Sequence, residues 1–165
     1  MSTSSKLPFR VGLGYDIHPF AQGRKLILAG LQIPHPRGLD GHSDADVLSH
    51  ALADAIFGAL GLPDIGHFFP NNDPACKDMN SLLIVERAVH EADLRDYEIG
   101  NVDITLIAEE PKIAPYLETM KTNLAQVLQV EPTEIGLKAT TNEKIGDLGR
   151  GQGIAAHSVA LLVRR

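Results

Sequence analysis

Ile154-Ala155-Ala156-His157-Ser158-Val159-Ala160-Leu161-Leu162-Val163, near the C-terminus, is nearly all apolar. A run of that length and composition predicts a β-strand that must be covered on both faces. Upstream, Ile135–Thr141 and Asn101–Ala108 also read as strands, the latter alternating V-D-I-T-L-I-A until Glu109-Glu110-Pro111 breaks it. Arg10–Ile17 is a strand carrying Gly12 and Gly14, which suggest close backbone approach, and Lys25–Ile33 is another. Pro34 to Gly38 forms a loop. Between the strands, Asp46–Leu60 places Val47, Leu48, Ala51, Leu52, Ala55, Ile56, Ala59 and Leu60 on two adjoining ridges of an amphipathic helix, with Asp46, His50 and Asp54 on its other face. Gly61 and Pro63 stop it, and a long Pro/Asn/Asp-rich loop runs from Asp64 to about Asp78. Asn80 caps a helix over Ser81–Leu94, and Lys112–Gln129 is a third helix. Four to five strands alternating unevenly with three helices predict a two-layer α+β domain, a mixed sheet with helices on one face. The uncovered face then calls for self-association.

Composition narrows the function. At 165 residues and 44% hydrophobic content the chain fits one domain, expected over residues 9–165 behind a flexible tail of residues 1–8. Its 15 Lys+Arg against 21 Asp+Glu give a net charge of −6 without any basic run, which argues against a nucleic-acid partner. An anionic substrate would therefore need locally clustered cations. Cys76 is the single cysteine, so no intrachain disulfide is possible and the thiol is expected to be inert. Met1 to Pro8 holds no signal-like segment and no later run approaches the ~18 apolar residues of a membrane span. A soluble cytoplasmic protein without a membrane partner is expected.

Two stretches carry chemistry. In Asp16-Ile17-His18 the flanking residues point the same way from an extended strand and can grip one ion. In Gly41-His42-Ser43-Asp44-Ala45-Asp46-Val47-Leu48-Ser49-His50, Ser43 and Asp46 read as a capping box, leaving His42 in the entering loop and His50 on the second turn. Either histidine could be the third ligand. An Asp/His/His set without thiolate suits Zn²⁺, and three protein ligands leave a position open for substrate. The same set also suits a zinc hydrolase, which would additionally need a base for water. The second stretch is Lys138-Ala139-Thr140-Thr141-Asn142-Glu143-Lys144-Ile145-Gly146, followed by Gly149-Arg150-Gly151-Gln152-Gly153. Paired threonine hydroxyls and free backbone N–H groups can bind phosphate oxygens, Glu143 can hold a hard cation, and Lys144 and Arg150 can neutralise charge.

G-Y-D-I-H, G-H-S-D-A-D-V-L-S-H-A, D-I-G-H-F-F-P, A-E-E-P-K and K-A-T-T-N-E-K-I-G-D-L-G-R-G-Q-G-I follow one another between Gly14 and Ile154, within a likeness that runs from about Arg10 to Val163. This series resembles the 2-C-methyl-D-erythritol 2,4-cyclodiphosphate synthase family of the non-mevalonate isoprenoid pathway. The resemblance implies a homotrimer with sheets facing the central axis and active sites at the subunit boundaries. It implies Asp16, His18 and His50 as zinc ligands and Glu143 as ligand of a second ion, Mg²⁺ or Mn²⁺, held through the substrate diphosphate. His42 and Thr141 match transition-state stabilisers. Ser43, Asp64 and Gly66 match residues holding the methylerythritol phosphate, and Ala108, Pro111, Lys112 and Ala114 with Thr140, Thr141, Asn142 and Glu143 match the cytidine and diphosphate pocket. Asp16, His18, His42, Ile65, Phe69, Asn71, Asp73, Asp147 and Arg150 are further substrate-binding positions by the same likeness. The implied reaction converts 4-diphosphocytidyl-2-C-methyl-D-erythritol 2-phosphate to the cyclic diphosphate with release of CMP.

Three positions depart from that pattern. Asn71 stands where an Asp is more usual, Asp147 where a bulky apolar residue is usual, and Gln152 where Glu is frequent. The last two lie in the segment that the resemblance associates with an axial cavity for isoprenoid diphosphates. A carboxylate lines a prenyl tail poorly, so weak binding of such a ligand is expected. Prenyl diphosphate retained on the native assembly in a mass spectrum would contradict this.

Overall fold

Strand β1 (Phe9–Gln22) alternates between two environments: Val11, Leu13, Tyr15 and Ile17 point one way, and Gly12, Gly14, Asp16 and His18 the other. Helix α1 (Val47–Leu60) rests directly on the glycine side, because a Cβ on Gly12 would collide with Ala55 and Ala59 backbone, and one on Gly14 with Ala51 and Ala55. The expected close approach is what these glycines permit. The computed structural model describes residues 7–165. After β1 come β2 (Leu26–Leu28), β3 (Leu31–Ile33), β4 (Arg37–Leu39), α1, α2 (Ile65–Phe68) and α3 (Leu82–Asp93). Then follow β5 (Tyr97–Ile107), α4 (Leu117–Leu128), β6 (Ile135–Thr140), α5 (Gly146–Gly149) and β7 (Gly153–Arg164).

The main sheet has five strands in the order β4-β1-β7-β5-β6. Only β5 and β6 pair in parallel, joined by the crossover through α4. The expected mixed sheet with helices on one face is therefore present. The apolar C-terminal run is its central strand, β7, hydrogen-bonded to β1 and β5. Ile154, Ala156, Ser158, Ala160 and Leu162 are fully buried on the helix side. On the opposite side Ala155 is buried, but His157 is exposed and Val159 is 40% exposed, so the described residues leave much of that face of β7 uncovered. Beside it Val11, Leu13, Tyr15 and Ile17 are also exposed.

Helix α1 departs from the amphipathic expectation, since it is buried nearly all round. Leu48, Leu52 and Ile56 are fully buried, each worth about 1.5–3 kcal/mol relative to exposure. Its other face is not a solvent face: Asp46 and His50 are buried as well. Asp46 is the N-cap itself, accepting from Ser49 N at 3.1 Å, Ser49 Oγ at 2.7 Å and Gly30 N at 2.9 Å. Ser43 takes no part in that cap, so the expected box does not form. Gly61 ends the helix in the left-handed conformation at φ +73°.

Other boundaries moved for local reasons. The expected strand Lys25–Ile33 is a hairpin outside the main sheet, folded back where Ala29 and Gly30 both take positive φ, +50° and +69°. Arg37 and Gly38, expected as loop, join Leu39 in the edge strand β4 (Arg37–Leu39). The helix expected from Lys112 starts at Leu117, behind a 3₁₀ turn at Ala114–Tyr116, because Pro115 lacks the N–H and disfavours helical φ/ψ before it. Of the expected tail, residues 1–6 lie outside the described residues, while Pro8 O accepts from Arg164 N at 2.7 Å. No helix among the described residues is long and apolar enough to cross a membrane.

Candidate active site

The two-residue step along β1 puts the Asp16 and His18 side chains on the helix side of the sheet, and the start of α1 brings His50 down onto them. Asp16 Oδ2 lies 2.9 Å from His18 Nε2 and 3.0 Å from His50 Nδ1, and the two nitrogens are 3.1 Å apart. Ligand atoms on a tetrahedral ion with bonds of ~2.0–2.1 Å lie roughly 3.3 Å apart, so this trio fits one zinc-sized ion with little adjustment. Its orientation is fixed from behind. His18 Nδ1 lies 2.6 Å from the Asp40 carbonyl oxygen, which only accepts, so the proton sits on Nδ1 and Nε2 offers a lone pair. Asp16, His18 and His50 could thus hold a metal ion. His42 is not part of the trio.

Electrostatics agree with a site built for a cation. Burial pushes the Asp16 carboxyl up, but hydrogen bonds and attraction from His18 and His50 outweigh it and hold the group well below the usual carboxylate range. Burial disfavours the charged form of His18, yet its bond to Asp16 raises it above its ordinary value.

A cavity of about 250 Å³ opens beside these donors. His42, Ser43, Ile65, Gly66, Phe69 and Asn71 line it, together with Gly41, Cys76, Met79 and Ile84. His42 Nε2 donates to Asp73 O at 3.2 Å, tying the histidine loop to the 64–78 segment. Asp64 caps α2, its Oδ1 accepting from His67 N at 3.3 Å. Asp73 stands outside the cavity and caps the turn at Pro74–Cys76 through Ala75 N at 2.9 Å. Asp54, one helical turn beyond His50, accepts from Ile65 N at 2.8 Å and so fixes where α2 begins. Burial pushes its carboxyl up, against that hydrogen bond.

The C-terminal cluster forms a second cavity of about 360 Å³, lined by Ala108, Pro111, Lys112, Ala114, Thr140 and Thr141. Glu143, at φ +49°, has Oε1 3.3 Å from Thr141 Oγ1. Asn142 donates from its backbone N to Glu109 Oε1 at 2.9 Å, and Lys144 N donates to the same oxygen at 3.3 Å. Glu109, expected as a strand breaker within the Ala108–Ala114 pocket segment, also shapes this loop. Asp147 and Arg150 pair with each other on the surface at α5 and line neither cavity.

One chain keeps the two clusters apart. Asp16 registers with Ala156, Ala156 with Leu106 and Leu106 with Ala139. Three strand spacings separate the metal trio from the threonine cluster, roughly 14 Å. Several supporting groups escaped the sequence reading. Asp40, which contributes a carbonyl, carries no side-chain signal. Asp44 and Ser81 act across the fold, and only the four-residue step from His50 hinted at Asp54.

A model of the YgbB family matches residues 9–163. The 2-C-methyl-D-erythritol 2,4-cyclodiphosphate synthase of Akkermansia muciniphila is 58% identical over 92% of this chain and 90% of that protein. Among solved structures, IspF of Plasmodium falciparum in complex with CDP superposes with a TM-score of 0.84 at 34% identity, over 98% of this chain and 99% of the other. The bifunctional IspDF of Campylobacter jejuni gives a TM-score of 0.91 at 40% identity over 95% of this chain, which spans 42% of that longer one. With a family model covering nearly all of it and relatives sharing more than half of its residues, the chain belongs to the YgbB family of 2-C-methyl-D-erythritol 2,4-cyclodiphosphate synthases.

Proposed function

We propose that the protein converts 4-diphosphocytidyl-2-C-methyl-D-erythritol 2-phosphate into 2-C-methyl-D-erythritol 2,4-cyclodiphosphate and CMP, as a soluble cytoplasmic enzyme of isoprenoid precursor synthesis. The observation that carries this reading is the convergence of Asp16 Oδ2, His18 Nε2 and His50 Nδ1 within 4.8 Å of one another, beside a cavity that also holds His42, Ser43 and Gly66. Family membership supplies the substrate. The relatives carrying it out are enzymes by name, and the cyclising, CMP-releasing step makes this one a phosphorus–oxygen lyase.

The attacking 2-phosphate oxygen is already anionic, so no strong general base is required. The chain's work is to fold the substrate and to offset repulsion among its phosphates. Asp16, His18 and His50 would hold Zn²⁺ and Glu143 a second ion, Mg²⁺ or Mn²⁺, and these ions would supply Lewis acidity and neutralise charge on the diphosphate. Ser43, Asp64, Ile65, Gly66, Phe69 and Asn71 would seat the methylerythritol phosphate, with Asp73 acting through its carbonyl on His42. Ala108, Pro111, Lys112 and Ala114, with Thr140, Asn142 and Glu143, would seat the cytidine and diphosphate, Asp147 and Arg150 flanking them. Thr141, and His42 once its Nε2–H leaves Asp73 O, would donate to oxygens that gain charge in the transition state, which is where fixed donors help most.

His42 and Thr141 line different cavities, and the exposed β1–β7 face is apolar. Both features favour a homotrimer in which the two halves of each site come from neighbouring copies. The test is to supply the diphosphocytidyl substrate, follow CMP release and cyclic diphosphate by ³¹P NMR, then repeat after chelation and after zinc is restored. In ¹⁸O water the product gains no solvent oxygen. Incorporation would instead mark a hydrolase, and activity indifferent to chelation would remove the metal from the reaction.

A further inference from the structure

On the side of His50 away from the metal trio runs a chain of hydroxyls, of which the proposed reaction uses only Ser43, as part of the substrate seat. His50 Nε2 lies 2.9 Å from Ser81 Oγ and 3.1 Å from Ser43 Oγ. The two serine oxygens are 3.0 Å apart, and Ser81 Oγ is bonded to Asp44 Oδ1. Both serines are buried, Ser81 completely.

Counting protons fixes the direction of every bond in this chain. The Asp44 carboxylate accepts from Asp46 N and from Ser81 N, each at 3.2 Å, and it has no proton to give. Ser81 must therefore spend its single hydroxyl proton on Asp44. Its remaining lone pairs face Ser43 and His50, so Ser43 donates to Ser81, and His50 must carry its proton on Nε2. With an ion in place of the proton that Nδ1 otherwise shares with Asp16, the lone pair of His50 is left on Nδ1, the atom 3.0 Å from Asp16 Oδ2 and 3.1 Å from His18 Nε2.

We propose that Asp44, Ser81 and Ser43 form a proton-ordered relay that holds His50 in its Nε2–H tautomer and presents Nδ1 to the metal. Asp44 and Ser81 are positioning residues, acting on the ion only through His50. The relay also ties the ligand to the substrate segment. Asp44 N donates to Met79 O at 3.0 Å and Asp78 N to His42 O at 2.9 Å, so the chain that reaches Ser81 at the start of α3 is clamped to the loop carrying His42. This inference rests on the metal centre proposed above.

The test measures Zn²⁺ affinity by chelator competition for the wild-type chain and for Ser81→Ala, Ser81→Thr and Asp44→Asn. In Ser81→Ala the Ser43 proton is free to turn to His50 Nε2 and favour the wrong tautomer. In Asp44→Asn the amide can donate to Ser81, which then turns its own proton towards His50. Both are expected to bind zinc about 10–100-fold more weakly, the usual effect of losing a ligand's outer partner, while Ser81→Thr, which keeps the hydroxyl, stays close to wild type. Independently of any variant's folding, ¹H–¹⁵N correlation spectra of the zinc-loaded, ¹⁵N-histidine-labelled wild type should show His50 protonated at Nε2 and metallated at Nδ1. Metal on Nε2, or Ser81→Ala and Asp44→Asn proteins that fold and bind zinc as the wild type does, would overturn the relay. A wild-type chain that takes up no zinc would instead sink the metal centre, and the relay with it.

Discussion

Among single side chains, Asp16, His18 and His50 have the least freedom to change, because each offers one of three donor atoms packed against the other two. Replacing His50 by Ala leaves a two-ligand site and a half-buried carboxylate short of a partner. Zinc affinity and CMP release are both expected to fall by ~10³-fold or more, since a bound ion supplies several kcal/mol of charge stabilisation and each ~1.4 kcal/mol is a factor of ten. Chelator competition and a CMP assay on one preparation would check it. Protonation opposes the same binding. His18 must be neutral to ligate, and Asp16 raises it above its ordinary value of 6.5 despite burial. Acidification should therefore begin to weaken zinc binding above pH 6.5 rather than at it, by about tenfold per unit for each proton displaced. A titration whose break falls below that pH would contradict the coupling to Asp16. Asp16 and His18 were legible in the sequence because ligation uses distinctive residue types at strand spacing, whereas the third ligand was not, since spacing left His42 and His50 open and only the family resemblance chose His50. Asp44 and Ser81 were not, because a serine before a helix reads equally as a cap, and only the folded chain brings Ser81 onto His50.

For the secondary-structure elements, the contact that matters most is between β1 and α1, where glycines replace side chains altogether. Gly14 faces the Ala51 carbonyl, one residue from His50, and stands two residues before Asp16. Gly14→Ala would restrict the unfolded chain and return ~0.4–1 kcal/mol, but forcing a methyl against helix backbone costs about 1–3 kcal/mol or more, and the second effect wins. The urea midpoint should fall, and zinc affinity should fall with it as α1 lifts His50 away from β1. A variant that loses stability but binds zinc as the wild type does would show that the helix position does not set the ligand geometry. Interleaved glycines and a long apolar helix made this pair readable before any coordinates. What misled was polarity. Asp46, His50 and Asp54 look like a solvent face, yet each is spent on an internal partner: a cap, a metal trio and the N-terminus of α2. The Lys25–Ile33 run misled for the opposite reason, its continuous apolar pattern concealing two consecutive residues with positive φ.

At the scale of the whole molecule, one copy leaves an apolar sheet face exposed and places His42 and Thr141 in different cavities. Val11 and Leu13 are 60% and 69% exposed on the sheet face, and no helix among the described residues covers them. Leu13→Glu should therefore leave the monomer fold intact by circular dichroism while abolishing association in sedimentation runs, and CMP release with it. An active monomer would place the complete site within one chain. A mixing experiment separates the alternatives further. His42→Ala and Thr141→Ala chains are each expected to be nearly inactive alone. If each site takes His42 from one copy and Thr141 from its neighbour, the ring needs a Thr141→Ala chain on the first side and a His42→Ala chain on the second. Random assembly of equal amounts meets that condition at about one site in four. Co-refolding the two should then restore roughly a quarter of wild-type activity. Sites contained within a single chain predict no recovery at any mixing ratio, because every chain would lack one of the two groups.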